Sequence, residues 1–343
     1  MTLTTLPGFQ SLVTHHCVTG SQLHIYTFYG YPISEEMLLG LGAGVGFIYW
    51  HMKGTLPFLG GRANVGRPGE EGMEKAAGRR TGVQVDIYRT NSSIKAEKAL
   101  LDMLQAGKPV MMQLDMGFLP YCDFGGQEYH FGYHVVVACG YDPTTRQVLL
   151  ADRDKALHPV SLEALAQARG SKYKPFPPQH AWYTFDFSQA HPPEPDEIIQ
   201  SIRQCVAGML TPPIRNLGVQ GIRKAAQAMP KWPILMDEKA LRDTYINTCI
   251  MIDARGGTGG GLFRAMYGRF LSEAAILTGQ DGFRDAGNQM LRIADRWDSV
   301  AGCLERAYQA PDPAQAINEA CTILTEIATQ EESVWKSLQQ IVG

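Results

Sequence analysis

The chain has 343 residues, 45% of them hydrophobic and 19% charged, with a formal net charge of -3. That length suggests two domains at roughly 100–200 residues each, and the composition lets each bury a core. The charge balance offers no electrostatic case for nucleic acid or an anionic membrane surface, and no apolar run approaches the roughly 20 residues that span a bilayer.

The opening MTLTTLPGFQ lacks the basic-then-apolar order of a secretory signal, and the seven cysteines are scattered without a CxxC pair. A cytoplasmic protein is expected, without a disulfide framework or a metal site. In chain order, Cys17 to Phe28 reads as a helix with Thr14 as its cap. Ser34 to Leu41 reads as another helix, with Ser34 capping. Gly46 to Met52 and Val83 to Tyr88 have strand composition. Ser93 to Gln105 predicts an amphipathic helix, capped by Ser92 or Ser93 and stopped by Gly107. Pro109 to Leu114 is an apolar strand. HVVVACGYD, the polar PTTRQ and VLLAD then form the clearest hairpin in the chain. Ser161 to Ala168 is a short helix and Ala181 to Phe187 a strand.

HPPEPD at residues 191–196 places three prolines in six residues, incompatible with a helix interior or central strand, and marks a domain boundary. The expected domains are therefore 1–190, mixed, and 196–343, helical. The helices expected in the second are Asp196 to Met209, Ile214 to Ala228, Glu238 to Asp253, Leu262 to Thr278, Gly282 to Tyr308 and Ala314 to Ile341.

The chemistry concentrates on Cys17. In the first turn of a helix, amide N–H groups favour a thiolate and can donate to an oxyanion. His134 begins the first strand of the hairpin and Asp152 ends the second, so folding about the turn brings both to one edge. A carboxylate there fixes the imidazole tautomer and leaves the other nitrogen for a thiol. Cys, His and Asp in that arrangement make an activated nucleophile with an oriented base. His130 is a rival base, preferred here as a substrate or gating residue, and Asp154 is a rival acid. Gln10 and His16 are oxyanion candidates, with nothing in the sequence choosing between them. The other six cysteines suit apolar packing, Cys122 least clearly because it sits in a loop.

Two glycine runs need a reading. GLGAGVGF at residues 40–47 follows a helix and precedes a strand, the reverse of dinucleotide-binding order. GGTGGG at residues 256–261 precedes a helix. Its amides, with Gly259 and Gly260 at the centre and Arg264 alongside, could hold a phosphopantetheine phosphate or a substrate carboxylate, or could be a plain connector. Tyr121 and Asp123 could contact an acceptor amine.

These segments carry a resemblance. HHCVTGSQLHIYTFYGYPISEEMLLGLGAGVGFIY (15–49), HFGYHVVVACGYD (130–142) and VLLADRD (148–154) look like the N-terminal domain of the butirosin biosynthesis protein H family. GGTGGGLFRAMYGRFLSEAA (256–275) looks like the uncharacterised helical domain usually fused to it. The resemblance implies an α+β fold: a papain-like cysteine-enzyme domain with an antiparallel sheet and a nucleophile helix, then an all-helical lid or substrate domain. It also implies an acyltransferase in antibiotic or other specialised metabolism, with Cys17, His134 and Asp152 in the catalytic roles. The donor would be a phosphopantetheine thioester on an acyl carrier protein or CoA, with no bound cofactor, and the acceptor a small-molecule amine. A homodimer is compatible with the chain. The alternative reaction is hydrolysis of a peptide, amide or thioester, with a self-processed variant cut before Cys17. A non-enzymatic binding module is the third reading.

Overall fold

The computed structural model describes residues 4–52, 54–65, 71–126 and 128–343. Residues 1–3, part of the segment read for a signal, and Gln127, within the 120–130 loop, lie outside the described residues. The elements run α1 (Cys17–Phe28), α2 (Glu35–Leu41), β1 (Val45–Trp50), β2 (Phe58–Arg62), α3 (Met73–Arg79), β3 (Gln84–Tyr88), α4 (Ser93–Gln105), β4 (Val110–Leu114), β5 (His134–Asp142), β6 (Gln147–Ala151), β7 (Leu157–Ser161), α5 (Leu162–Gly170) and β8 (Trp182–Asp186). Helices follow: α6 (Pro195–Leu210), α7 (Gly218–Ala228), α8 (Trp232–Leu235), α9 (Glu238–Ile252), α10 (Arg264–Thr278), α11 (Asp281–Gln309) and α12 (Ala314–Val342). The fold is α+β with antiparallel sheets and a helical C-terminal region.

Packing divides the chain into two units, residues 1–38 with 82–191, and residues 39–81 with 192–343. The break after His191 falls in HPPEPD. The expected continuous domain 1–190 is not what packs: residues 39–81 leave it and join the C-terminal helices. That unit is consequently not all-helical, because it contains the antiparallel hairpin of β1 and β2. The reason is visible at close range. Arg264 Nη1 donates to Gly46 O at 2.9 Å and Trp232 Nε1 to Tyr49 Oη at 3.1 Å. A Cβ on Gly40 would lie 2.2 Å from the Phe270 ring, so a side chain at 40 would prevent this packing.

In the first unit, a six-stranded sheet has the order β3-β8-β4-β5-β6-β7. Val136 and Ala138 of β5 join a core cluster with Leu100 and Leu104 of α4 and Leu162 and Leu165 of α5. The alternating Val135, Val137 and Cys139 are also fully buried. Burial on both faces is why β5 reads as an unbroken apolar run. Helix α1 runs along it, Ser21 Oγ donating to Val135 O at 3.0 Å. The β5–β6 turn is organised by Asp142, whose carboxylate accepts from Thr144 N at 2.9 Å and Thr145 Oγ1 at 3.0 Å.

Candidate active site

Helix α1 starts at Cys17 because His16, extended at φ -113° and ψ 132°, is its N-cap and accepts from Thr19 N through its ring. Thr14 does not cap, contrary to expectation. Its amide donates to Arg153 O at 2.9 Å, and its side chain packs on Gly20, where a Cβ would sit 2.3 Å from Thr14 Oγ1. The chain ahead of Cys17 is therefore laid beside the segment that carries Asp152. A buried carboxylate completes the arrangement. Glu35 accepts from His15 N, His16 N and Thr19 Oγ1, each at 2.8 Å. Burial raises its pKa, against these three donors, which lower it.

His134 opens β5 opposite Leu114, and Asp152 follows the last residue of β6, with Ala151 paired to Val137. The hairpin register thus presents both side chains together, and His134 Nε2 donates to Asp152 Oδ2 at 2.7 Å. His134 is also hydrogen-bonded to Cys17, and with Nε2 committed to Asp152, Nδ1 is the nitrogen left for the thiol. Burial pushes the His134 pKa down, but the charge and hydrogen bond of Asp152, then the bond and charge of Cys17, raise it to about 10. Burial likewise opposes the Asp152 carboxylate, but His134, Arg153 and Tyr121 bring it down to about 2. The pair favours imidazolium against carboxylate, and a cation beside a thiol favours thiolate.

Tyr121, expected to touch an acceptor, instead donates from its hydroxyl to Asp152 Oδ2 at 3.0 Å and stacks on His158 with ring centroids 3.9 Å apart. Burial and the Asp152 charge raise its pKa, so it stays a donor. Asp123 caps its own loop, accepting from Gly125 N at 2.8 Å. The rival acid Asp154 pairs with His158 at 3.2 Å instead. The rival base His130 is held by Asp115 through Nδ1 at 2.9 Å, faces Glu128 with Nε2 at 3.4 Å, and stacks on Tyr173. Both its nitrogens face carboxylates. Asp115, fully buried, also accepts from Gly117 N, Phe131 N and Ser171 Oγ. It ties down the loop that carries Tyr121.

His24 extends the framework on the other side. Nδ1 donates to Gly20 O at 2.8 Å and Nε2 accepts from Leu12 N at 3.0 Å. Burial lowers its pKa, more than the Gly20 carbonyl and the Asp152 charge raise it. Sequence reasoning missed Glu35, His24 and Asp115. Glu35 stands in the first turn of α2, where an acid is ordinary, and nothing local marks the others. Gln10 is exposed ahead of α1, while His16 is buried. The backbone amides of His15 and His16 are already given to Glu35.

The candidates in the second unit have other work. Arg264 is fully buried and bidentate to Glu331, with Nε–Oε1 2.8 Å and Nη2–Oε2 2.9 Å. Glu331 also accepts from the Trp297 and Trp335 indoles. This corrects the expected substrate contact: the guanidinium is spent inside the core. The run at Gly259 and Gly260 does meet an anion, but one of the chain's own. Gly261 N donates to Asp298 Oδ1 at 2.8 Å, while Gly260 N donates to Thr258 Oγ1. A phosphate there would face the Asp298 carboxylate.

Burial pushes the thiols of Cys122, Cys249 and Cys321 up to about 11 and that of Cys139 to about 12. None of the four has an imidazole partner among the described contacts. Among the described residues no cluster of His, Cys, Asp and Glu could hold a metal ion, and no helix is long and apolar enough to cross a membrane.

Comparison with known families gives two matches. Residues 16–153 match the family described as butirosin biosynthesis protein H, N-terminal. Residues 163–338 match a domain of unknown function, DUF4872. No curated protein matches the chain.

Proposed function

The chain belongs to the family that joins a butirosin biosynthesis protein H N-terminal domain to a DUF4872 domain, and on that footing we propose that it is a cysteine-dependent N-acyltransferase of papain-like design. It moves an acyl or aminoacyl group from a phosphopantetheine thioester, on an acyl carrier protein or CoA, to a small-molecule amine. The family's name places such domains in butirosin biosynthesis, and by extension this chain in antibiotic-type metabolism. The observation that carries the reading is the unbroken chain of contacts from Cys17, at the first position of α1, through His134 to Asp152.

The steps balance. Cys17 thiolate adds to the thioester carbonyl, and the tetrahedral oxyanion collapses by breaking the C–S bond of the donor. The departing thiolate takes the proton held on His134. A neutral amine then adds to the acyl-Cys17 carbonyl, and His134 accepts the amine proton as general base. Collapse releases the amide and restores the thiolate. Amides of the first turn of α1 receive the oxyanion. Of the side-chain candidates, Gln10 is better suited than His16, whose ring caps the helix.

Hydrolysis of the acyl-enzyme by water is the alternative outcome at the same cysteine. Its self-processed form is disfavoured, because a cut before Cys17 would discard the His16 cap and two of the three donors to Glu35.

The test is intact-protein mass spectrometry after incubation with acyl-pantetheine thioesters. A mass increase of one acyl group on Cys17, discharged faster by amines than by water, is expected. Cys17→Ser gives no adduct, and His134→Ala slows its formation on the order of 10²–10⁴-fold. Unimpaired acylation of either variant refutes the assignment, and discharge by water alone reassigns the protein as a hydrolase.

A further inference from the structure

Arg169, in the last turn of α5, carries a charge that the surrounding protein leaves largely uncompensated. The residue is 2% exposed. Its Nη1 donates to Ala96 O at 3.0 Å, while Nε and Nη2 are buried without a protein acceptor. His180 adjoins it, its backbone amide donating to Arg169 O at 2.8 Å. The ring Nδ1 is also buried and without a protein partner. Both residues line one cleft beside α4, together with Ser93, Ala96 and Glu97.

The charges facing this cleft are few. Burial, then Arg169 and Lys172, lower the His180 pKa. Burial lowers that of Arg169 to about 10, opposed by Glu97. The Glu97 carboxylate lies 3.9 Å from Arg146 Nη2, and it makes no ion pair with Arg169. A guanidinium withdrawn from water with a neutral carbonyl as its bonded partner is strongly unfavourable, because the desolvation cost is not offset by an opposite charge.

We propose that this cleft binds one small monovalent anion of the halide class, held by Arg169 Nε and Nη2 with His180 Nδ1–H as a third donor. The space beside these donors is small and takes one compact occupant. An anion there favours the His180 imidazolium, so binding takes up a proton, and affinity rises as pH falls through the imidazole range. The occupied cleft would fasten the C-terminal end of α5 to the start of α4.

The test is thermal unfolding of the full chain across a chloride titration, with gluconate balancing ionic strength. A saturable rise of about 2–4 °C is expected with chloride and not with gluconate. The rise should be larger below the ordinary imidazole value of 6.5 than above it. Arg169→Gln loses the chloride-specific rise. His180→Gln keeps a rise but loses its pH dependence, which holds the test open if the Arg169 variant fails to fold. In crystals of the unaltered chain soaked in bromide, an anomalous peak is expected within hydrogen-bonding distance of Arg169 Nε and Nη2. Equal responses to chloride and gluconate, a water in that place with no bromide peak, or Glu97 paired with Arg169 would each overturn the proposal.

Discussion

Asp152 takes two hydrogen bonds on a single oxygen, from His134 and Tyr121, while its Oδ1 is buried without a protein partner. The pair's effect on stability follows from the directions of the two shifts. His134 is raised from 6.5 to about 10, so its contribution is full below 6.5 and is lost as pH rises through about 10. Asp152 is lowered from 3.8 to about 2, so its contribution is full above 3.8 and is lost as pH falls through about 2. Tyr121→Phe removes a donor that stabilises the carboxylate. The acid edge of the unfolding profile, followed by circular dichroism, should therefore move to higher pH, with a loss of about 1.5–3 kcal/mol at neutral pH. An unmoved acid edge would mean that the hydroxyl does not act on Asp152. At this scale, the start of α1 at Cys17 and the meeting of His134 with Asp152 were legible because each residue sits at the end of a strongly patterned element. Glu35 was not, since its role depends on where α2 starts relative to α1. His16 displaced Thr14 as cap because the helix begins at Cys17, three residues beyond Thr14, so Thr14 precedes the Ncap position.

At the scale of elements, local chemistry set most boundaries. Helix α4 spans Ser93–Gln105, with Ser92 Oγ accepting from Lys95 N at 3.2 Å. It ends where Gly107 takes φ +73°, a left-handed position that a glycine occupies without a Cβ clash. Ser92→Ala should cost about 0.5–2 kcal/mol in urea denaturation, and Ser92→Asp should recover most of it. A neutral Ser92→Ala result would show that the cap adds nothing in this context. Two of the elements that escaped the sequence, β2 and β7, have compositions that oppose a strand. Strand β2 contains Gly60 and Gly61, and a Cβ on Gly61 would lie 2.5 Å from Leu262 Cγ, so its lack of side chains is a packing requirement. Strand β7 contains Pro159, which a ladder tolerates because β7 is the sheet edge. The expected anion loop also failed at this scale. Its glycines do present a backbone amide to a carboxylate, but only the fold reveals that Asp298 supplies it.

At the scale of the whole molecule, the family matches and the packed units do not share a boundary. The DUF4872 match begins at residue 163 and so includes most of α5 and all of β8. Strand β8 lies between β3 and β4 in the sheet of the first unit. The butirosin-type match, residues 16–153, takes in the hairpin of β1 and β2, which packs in the second unit. Neither match is a complete body. A fragment ending at residue 191 would keep 39–81 without the helices that cover it, and should be insoluble or bind a hydrophobic dye. Joining residue 38 to 82 through a short Gly-Ser linker within that fragment should give a soluble unit with cooperative thermal unfolding. Cooperative folding of the simple truncation would refute this dependence. The proline cluster gave the position of the break. No local signal could announce that an earlier stretch returns across it, since that depends on contacts such as Arg264 with Gly46.

This nesting has a consequence for biosynthesis on the ribosome. Residues 39–81 emerge early, yet their apolar partners, Phe270 among them, are translated some two hundred residues later. At about 5–20 residues per second, the hairpin waits on the order of ten seconds or more with its greasy side uncovered. Nascent chains stalled before α10 should therefore be captured by holdase chaperones, and release should coincide with completion of the C-terminal helices.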